Sequence, residues 1–437
     1  MHGQPAKTPV MKQFILMAFA VVAIGAPQCV LADAKPNIIL IMADDFGYEC
    51  VGANGGDYKT PTLDQMAADG MRFEHCYVQP LCTPTRVQVM TGLYNVRNYF
   101  SFGLIDAEAT TFAHLLKDAG YATAVAGKWQ LGRAKNLPQL LGFDESALWQ
   151  HTRLTPRYAN PGLEYNGEEK NFTEGEYGPA LISDFAVDFI RRYKDQPFCL
   201  YYPMILTHDP FQPTPDSADW DPDAQGEKLS DVKYFGEMVT YADKMVGRIE
   251  STLEELGVRD NTLIIFCGDN GTSGKITSQF EGKDYPGGKG QPTKRGMHVP
   301  LIVSWPGKVK PGSINPNLVA STDFLPTICA AAGAQLPVSM PKDGHSFYAQ
   351  LVGEEAEPRE SLYCWYARGK RANDIHEFAM TKERKLYRDG RFFDLVADPQ
   401  EALTRQVADL QGTDAVVARE LQAVLDQYAD ARPPEAK

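Results

Sequence analysis

At 437 residues, with 43 % apolar and 23 % charged side chains, the chain can build one large core and a smaller second one, which excludes a disulfide mini-protein or a compositionally disordered chain. Its 56 acidic against 43 basic residues give a net charge of −13, excluding sequence-independent nucleic-acid binding, which needs a broad basic face. A few cations focused in one cleft would still hold an anionic substrate.

The first expected element is a leader. Lys12 precedes an apolar run from Phe14 to Ala26 that Pro27 closes. The run is too short to span a bilayer but suits the hydrophobic region of a secretory signal. Ala32 and Ala34 supply small residues at −3 and −1 of a cut before Lys35. Export to a secreted or periplasmic location is expected, with no membrane anchor. Cys50, Cys76, Cys82, Cys199, Cys267, Cys329 and Cys364 lie beyond the cut, an odd number that leaves at least one unpaired or modified.

Strands then alternate with helices. Asn37–Met42, Ala122–Ala126, Phe198–Leu206, Thr262–Cys267 and Val299–Ser304 read as strands buried on both faces. Four of them stop at Asp44-Asp45, Gly127-Lys128, Thr207-His208 and Gly268-Asp269-Asn270-Gly271. Helices are expected over Thr111–Ala119 and Val239–Leu256, the second with a stripe of Ala242, Met245, Val246, Ile249 and Leu253. The pattern predicts an α/β fold: a large, mostly parallel sheet sandwiched by helices, with its ligand site beyond the carboxyl ends of the strands. Strand-like pieces at Ser361–Tyr366, Phe378–Thr381 and Lys385–Tyr387, then a helix from about Thr413 to Tyr428, predict a smaller C-terminal α+β domain. The expected divisions are 1–34, 35–335 and 336–437.

The segment Cys82-Thr83-Pro84-Thr85-Arg86, closed by Thr91-Gly92, is the most informative. Thr83 can cap a helix that Pro84 opens, placing Cys82 just before an N-terminus that favours an anion, with Arg86 as a fixed cation. A buried core cysteine beside a capped helix would read the same way. Asp44, Asp45, Asp269 and the Asn270 carboxamide oxygen form a hard oxygen donor set, suited to calcium and less readily to magnesium; no His or Cys cluster offers zinc a site.

The Cys82 segment resembles the signature of the sulfatase family, within the alkaline phosphatase superfamily. Asp44-Asp45 resembles that family's first metal pair, Asp269-Asn270 its second, Gly127-Lys128-Trp129 its Gly-Lys-Trp motif, His208 its substrate-facing histidine and Lys289 its second lysine. The resemblance implies that a maturation enzyme oxidises Cys82 to formylglycine, whose hydrate attacks sulfur beside the metal site. Asp269 would accept a proton, His208 or Lys289 would protonate the leaving alcohol, and the second hydroxyl would expel sulfate. Arg86, Lys128 and Lys289 would hold the sulfate charge. The implied substrate is a sulfated small molecule or glycan.

Two positions depart from the pattern. Gln130 stands where a histidine is common and cannot titrate. The stretch Thr293-Lys294-Arg295-Gly296-Met297-His298 is basic where relatives are acidic, which either biases the cleft toward polyanions or forms a solvated loop. Trp149–Arg153 and Pro156–Asn160 interleave aromatics with cations, as a sugar-binding loop would. The alternatives are a phosphate or phosphonate monoesterase of the same superfamily and a non-catalytic sulfoglycan-binding relative.

Overall fold

The computed structural model describes residues 1–9, 35–223, 229–367 and 375–433. The chain divides into two units, Met1–Ala34 and Lys35–Lys437. In the first, residues 1–9 have no regular structure, and the expected leader's apolar run and cut site lie outside the described residues. No described helix is long and apolar enough to cross a membrane.

The described residues form seventeen strands, in chain order: β1 Asn37–Ala43, β2 Met71–Tyr77, β3 Ala122–Lys128, β4 Glu145–Trp149, β5 Gly162–Tyr165, β6 Glu168–Asn171, β7 Phe198–Pro203, β8 Thr262–Gly268, β9 Thr277–Phe280, β10 Lys283–Pro286, β11 His298–Ser304, β12 Ser313–Ala320, β13 Leu362–Ala367, β14 Ile375–Met380, β15 Arg384–Tyr387, β16 Arg391–Asp394 and β17 Arg405–Gln406. Ten form one sheet in the order β12-β2-β11-β8-β1-β7-β3-β4-β5-β6. Its centre, β8 to β4, is parallel, whereas β11 runs antiparallel to both β8 and β2, and β5 runs antiparallel to both β4 and β6. The sheet is therefore mixed around a parallel core.

Strand alternation explains why the apolar run of β1 is continuous. Ile39 and Ile41 face one helical layer with Ile182 and Phe189 of the helix Gly178–Tyr193 and Val246 of the helix Phe235–Glu255. Ile38, Leu40 and Met42 face the other, with Val89 of the helix Cys82–Thr91, Leu116 of Phe112–Asp118 and Ile328 of Phe324–Ala332. Period-two alternation sends neighbours to opposite faces, so both parities must be apolar. Gly127 is required by geometry: its φ is +134°, and a Cβ there would lie 1.8 Å from the Pro203 carbonyl oxygen.

The C-terminal sheet, β13-β14-β15-β16-β17, is antiparallel and is covered by the helix Gly412–Gln427 through Ala418, Leu421 and Leu425. Arg359 anchors the segment leading into it, donating to both Asp323 oxygens and to Tyr94 Oη. All seven cysteines beyond Ala34 are buried and unpaired.

Candidate active site

Four adjacent parallel strands, β8, β1, β7 and β3, end at one edge of the sheet. Register sets Ala43 of β1 opposite Gly268 of β8, so the residues that follow, Asp44-Asp45 and Asp269-Asn270, emerge side by side. Lys128 is the last residue of β3. The segment after β7 is tied to β1: the Asp44 amide donates to the Leu206 carbonyl at 2.7 Å and the Thr207 amide to the Asp44 carbonyl at 2.6 Å. That pairing sets His208 over the same edge.

The helix Cys82–Thr91 begins two residues earlier than the sequence suggests. Leu81, in extended backbone, is its N-cap, and Cys82 is the first helical residue. Thr83 does not cap the helix; its hydroxyl accepts from the Gly103 amide. One turn on, Arg86 donates through Nη2 and Nε to Asp269 Oδ2 at 2.8 and 3.2 Å and through Nη1 to the Lys128 carbonyl at 2.9 Å. The helix thereby fixes residue 82 relative to the ends of β3 and β8. The Cys82 thiol donates to Gln130 Oε1 at 3.1 Å. Burial pushes its pKa up, and the charges of Lys128, Asp269, Asp44 and Lys289 all reach it. An unmodified thiol here stays protonated at neutral pH and is a poor nucleophile.

The carboxylates are paired in sequence-distant contacts. Lys128 Nζ reaches both oxygens of Asp44, at 2.9 and 2.8 Å. Lys289 Nζ lies 2.6 and 2.7 Å from the two oxygens of Asp45. Burial alone would raise the Asp44 pKa, but Lys128, His208, Arg86 and Lys289 together hold it well below the carboxylate range. Asp269 goes the other way: burial, then the charge of Asp44, lift it to about 6 despite Arg86 and Lys128. For Lys289, burial disfavours the charge, but Asp45 and Asp44 keep its pKa above the ordinary value. His208 sets Nδ1 2.6 Å from the Asp209 carbonyl and 3.0 Å from Asp209 Oδ1, which puts a proton on Nδ1, while Nε2 lies 3.9 Å from Asp45 Oδ2.

These residues fit a divalent metal. Asp44, Asp45 and His208 offer atoms all within 4.8 Å of one another. Asn270 Nδ2 donates to Asp45 Oδ1 and to the Gly271 carbonyl, yet its Oδ1 is buried without a hydrogen-bond partner among the described residues. A buried carbonyl oxygen left unanswered beside three carboxylates is the donor a hard cation would use.

Several parts of the site carried no sequence signal. Glu49 is buried and accepts from the Thr272 hydroxyl at 2.5 Å; that hydroxyl also accepts from the Gly47 amide at 3.1 Å. This brace locks the loop after β1 to the loop after β8 over a separation of 223 residues. Burial lifts the Glu49 carboxyl to about 7. Of the suspected sugar loop, Trp149, Pro156, Arg157, Tyr158 and Ala159 line a 730 Å³ cavity together with His208. The Arg157 guanidinium lies 4.1 Å over the Trp149 ring, and its Nη1, buried and without a hydrogen-bond partner, is 4.0 Å from Asp44 Oδ2. The basic stretch after Lys289 does not line this cavity. Lys294 lines a different one, and Arg295 lies over the Tyr285 ring.

A family model described as Sulfatase matches residues 36–334, and one described as N-sulphoglucosamine sulphohydrolase, C-terminal, matches residues 292–430. The chain is 32 % identical to human arylsulfatase A over 395 residues, covering 78 % of this chain and 74 % of that protein. It is 31 % identical to mouse N-acetylgalactosamine-6-sulfatase over 386 residues, covering 80 % and 71 %. The crystal structure of Ps i-CgsB superposes with a TM-score of 0.75 at 26 % identity, covering 92 % of this chain and 94 % of that one; the same protein has been crystallised with k-i-k-neocarrahexaose. The chain therefore belongs to the sulfatase family and is a sulfuric ester hydrolase.

Proposed function

We propose that this protein is an exported sulfatase that removes sulfate from sulfated carbohydrate, using formylglycine made from Cys82 and a bound calcium ion. The observation that carries the metal reading is a charge balance. Asp44, Asp45 and Asp269 face Arg86, Lys128 and Lys289 in direct pairs. Within these pairs three carboxylates cancel three cations, which leaves Arg157, 4.0 Å from Asp44, as the one excess fixed cation among the described residues facing an anionic ester. Asp44, Asp45, Asp269, Asn270 Oδ1 and residue 82 would hold a divalent cation, which would add positive charge there and act as a Lewis acid toward the sulfate ester. Magnesium, which demands a tighter octahedron, fits this mixed donor set less readily.

The remaining roles belong to the chain. Arg86, Lys128 and Lys289 are rigidly held and aimed at the sulfate charge, so they need not reorganise as charge develops. Asp269, lifted toward neutral pH, is the carboxylate suited to take a proton from residue 82. Asp209 orients His208 through Nδ1, leaving Nε2 to protonate the leaving alcohol, with Lys289 beside it. Gln130 keeps its hydrogen bond to residue 82 whatever the pH. Arg157, seated on the buried Trp149 ring, keeps a guanidinium nitrogen without a hydrogen-bond partner among the described residues beside this cavity, the kind of group that pairs with a sugar sulfate. Relatives named for sulfated sugars, and a structural neighbour crystallised with a neocarrahexaose, support the carbohydrate assignment. The reading further requires a maturation enzyme that oxidises Cys82, and a leader within residues 1–34.

The test compares nitrophenyl sulfate with nitrophenyl phosphate. The expected kcat/KM favours the sulfate by at least about 100-fold, or ~2.7 kcal/mol. Faster phosphate hydrolysis would instead make the protein a monoesterase of phosphate or phosphonate.

A further inference from the structure

A second polar cavity opens at the same edge of the sheet. β2 ends at Tyr77, which pairs with His298 at the start of β11, and β11 is also the neighbour of β8, whose end carries Asp269. These ends stand two strands from β8, about 10 Å away at ordinary strand spacing. The loop that carries Lys289 continues through Pro292 and Thr293 and meets the C-terminal sheet there. Together they enclose a 250 Å³ cavity whose lining includes His75, Thr293, Lys294, Lys382, Met297 and Met380.

The cavity's polar groups are unbalanced. Glu401 is its one lining carboxylate, and Lys385 already engages it at 2.8 Å. Lys385 is further held by the Pro292 carbonyl and lies 3.7 Å over the Phe378 ring. The Lys294 ammonium has no hydrogen bond or ion pair among the described residues, and burial holds its pKa below the ordinary value against the opposing charge of Glu281. Among the described residues the Lys382 ammonium binds only the Pro316 carbonyl. Thr293 Oγ1 and His75 Nδ1 are buried with no hydrogen-bond partner among the described residues. Buried polar atoms are ordinarily satisfied, so a half-buried cation beside two unanswered ones points to a ligand that supplies acceptors. The same lining carries Tyr77, Met297, Met380 and Leu395, an apolar wall that a bare inorganic ion would leave unused.

We propose that this cavity is a second carbohydrate site, which holds a sugar ring bearing one anionic group, sulfate or carboxylate, on Lys294, Lys382, Thr293 and His75. It rests on the reading of the first cavity as a sulfated-carbohydrate site and deepens it: the enzyme grips a polyanionic chain at a unit other than the one it desulfates. The basic stretch after Lys289 thus serves recognition away from the reacting sulfate.

The methionine methyl groups of the cavity report on it directly. Full-length Cys82→Ala protein, which turns nothing over, is labelled with ¹³C-methyl methionine and titrated with glucose 6-sulfate, glucuronate, inorganic sulfate and glucose. The Met297 and Met380 resonances are expected to shift with glucose 6-sulfate or glucuronate, at concentrations at least about tenfold lower than with inorganic sulfate or glucose. In a Lys294→Ala/Lys382→Ala background the response should disappear while the other methionine resonances and the Tm stay in place. The two sugar anions separate sulfate from carboxylate recognition. The proposal is overturned if neither resonance responds to a sugar anion, if inorganic sulfate or glucose acts as strongly, or if the double variant responds like the parent. Because the readout is not turnover, failure here is distinct from failure of the wild-type protein to hydrolyse nitrophenyl sulfate.

Discussion

Cys82→Ala is expected to lower kcat on nitrophenyl sulfate by at least about 10⁴-fold, the scale on which removal of a covalent nucleophile acts, with little change in Tm. The side chain is buried and its one polar contact is the weak thiol donation to Gln130. Exchange of –SH for –H there leaves the helix start intact. Cys82→Ser should be equally inactive wherever the serine is not oxidised, because a single hydroxyl cannot both accept sulfate and expel it. Steady-state turnover alongside thermal unfolding separates lost chemistry from lost folding. A serine variant retaining more than about one tenth of wild-type kcat would show that an ordinary hydroxyl suffices.

Arg86→Leu should damage both activity and stability. Its guanidinium is 1 % exposed and holds an Asp269 that is 0 % exposed. Breaking a buried pair by removing one partner costs about 3–5 kcal/mol, because a charge is left without compensation. The pH dependence follows from Asp269. Its folded pKa, about 6, already lies above the ordinary 3.8, and loss of Arg86 raises it further. The folded state then binds more protons than the unfolded chain above pH 3.8, so stability falls as pH rises through that window. In chelator-treated protein, the deficit of Arg86→Leu relative to wild type should be smallest near pH 4 and largest above pH 7. Denaturant melts at several pH values measure it, and a deficit independent of pH would remove Asp269 from the account. Activity should also fall by about 10³-fold, the loss typical of one preorganised donor on a developing charge.

The central strands were readable because β1 and β8 are buried on both faces and carry no polar side chain after Asn37 and Thr262, which bond each other at the strand starts. Their polar endings were readable as chemistry because parallel neighbours bring such endings to one edge. The antiparallel insertion of β11 was not, since a buried strand shows the same apolar run in either direction. Cys82 itself stood out, but Leu81 rather than Thr83 ends up as the N-cap, because Thr83 is drawn to the Gly103 amide. The brace of Glu49 on Thr272 and the stack of Arg157 on Trp149 left no trace in spacing; one spans 223 residues and the other depends on where a loop folds back. The basic residues after Lys289 were visible as charge, yet only the C-terminal sheet reveals which cavity Lys294 faces.

The most direct measurement is the mass of the peptide containing position 82, from protein produced together with a formylglycine-generating enzyme, read beside the specific activity of the same preparations. The account predicts that residue 82 is found as the aldehyde and that activity on nitrophenyl sulfate rises in proportion to the aldehyde fraction. Full activity in a preparation whose residue 82 is entirely thiol would contradict it.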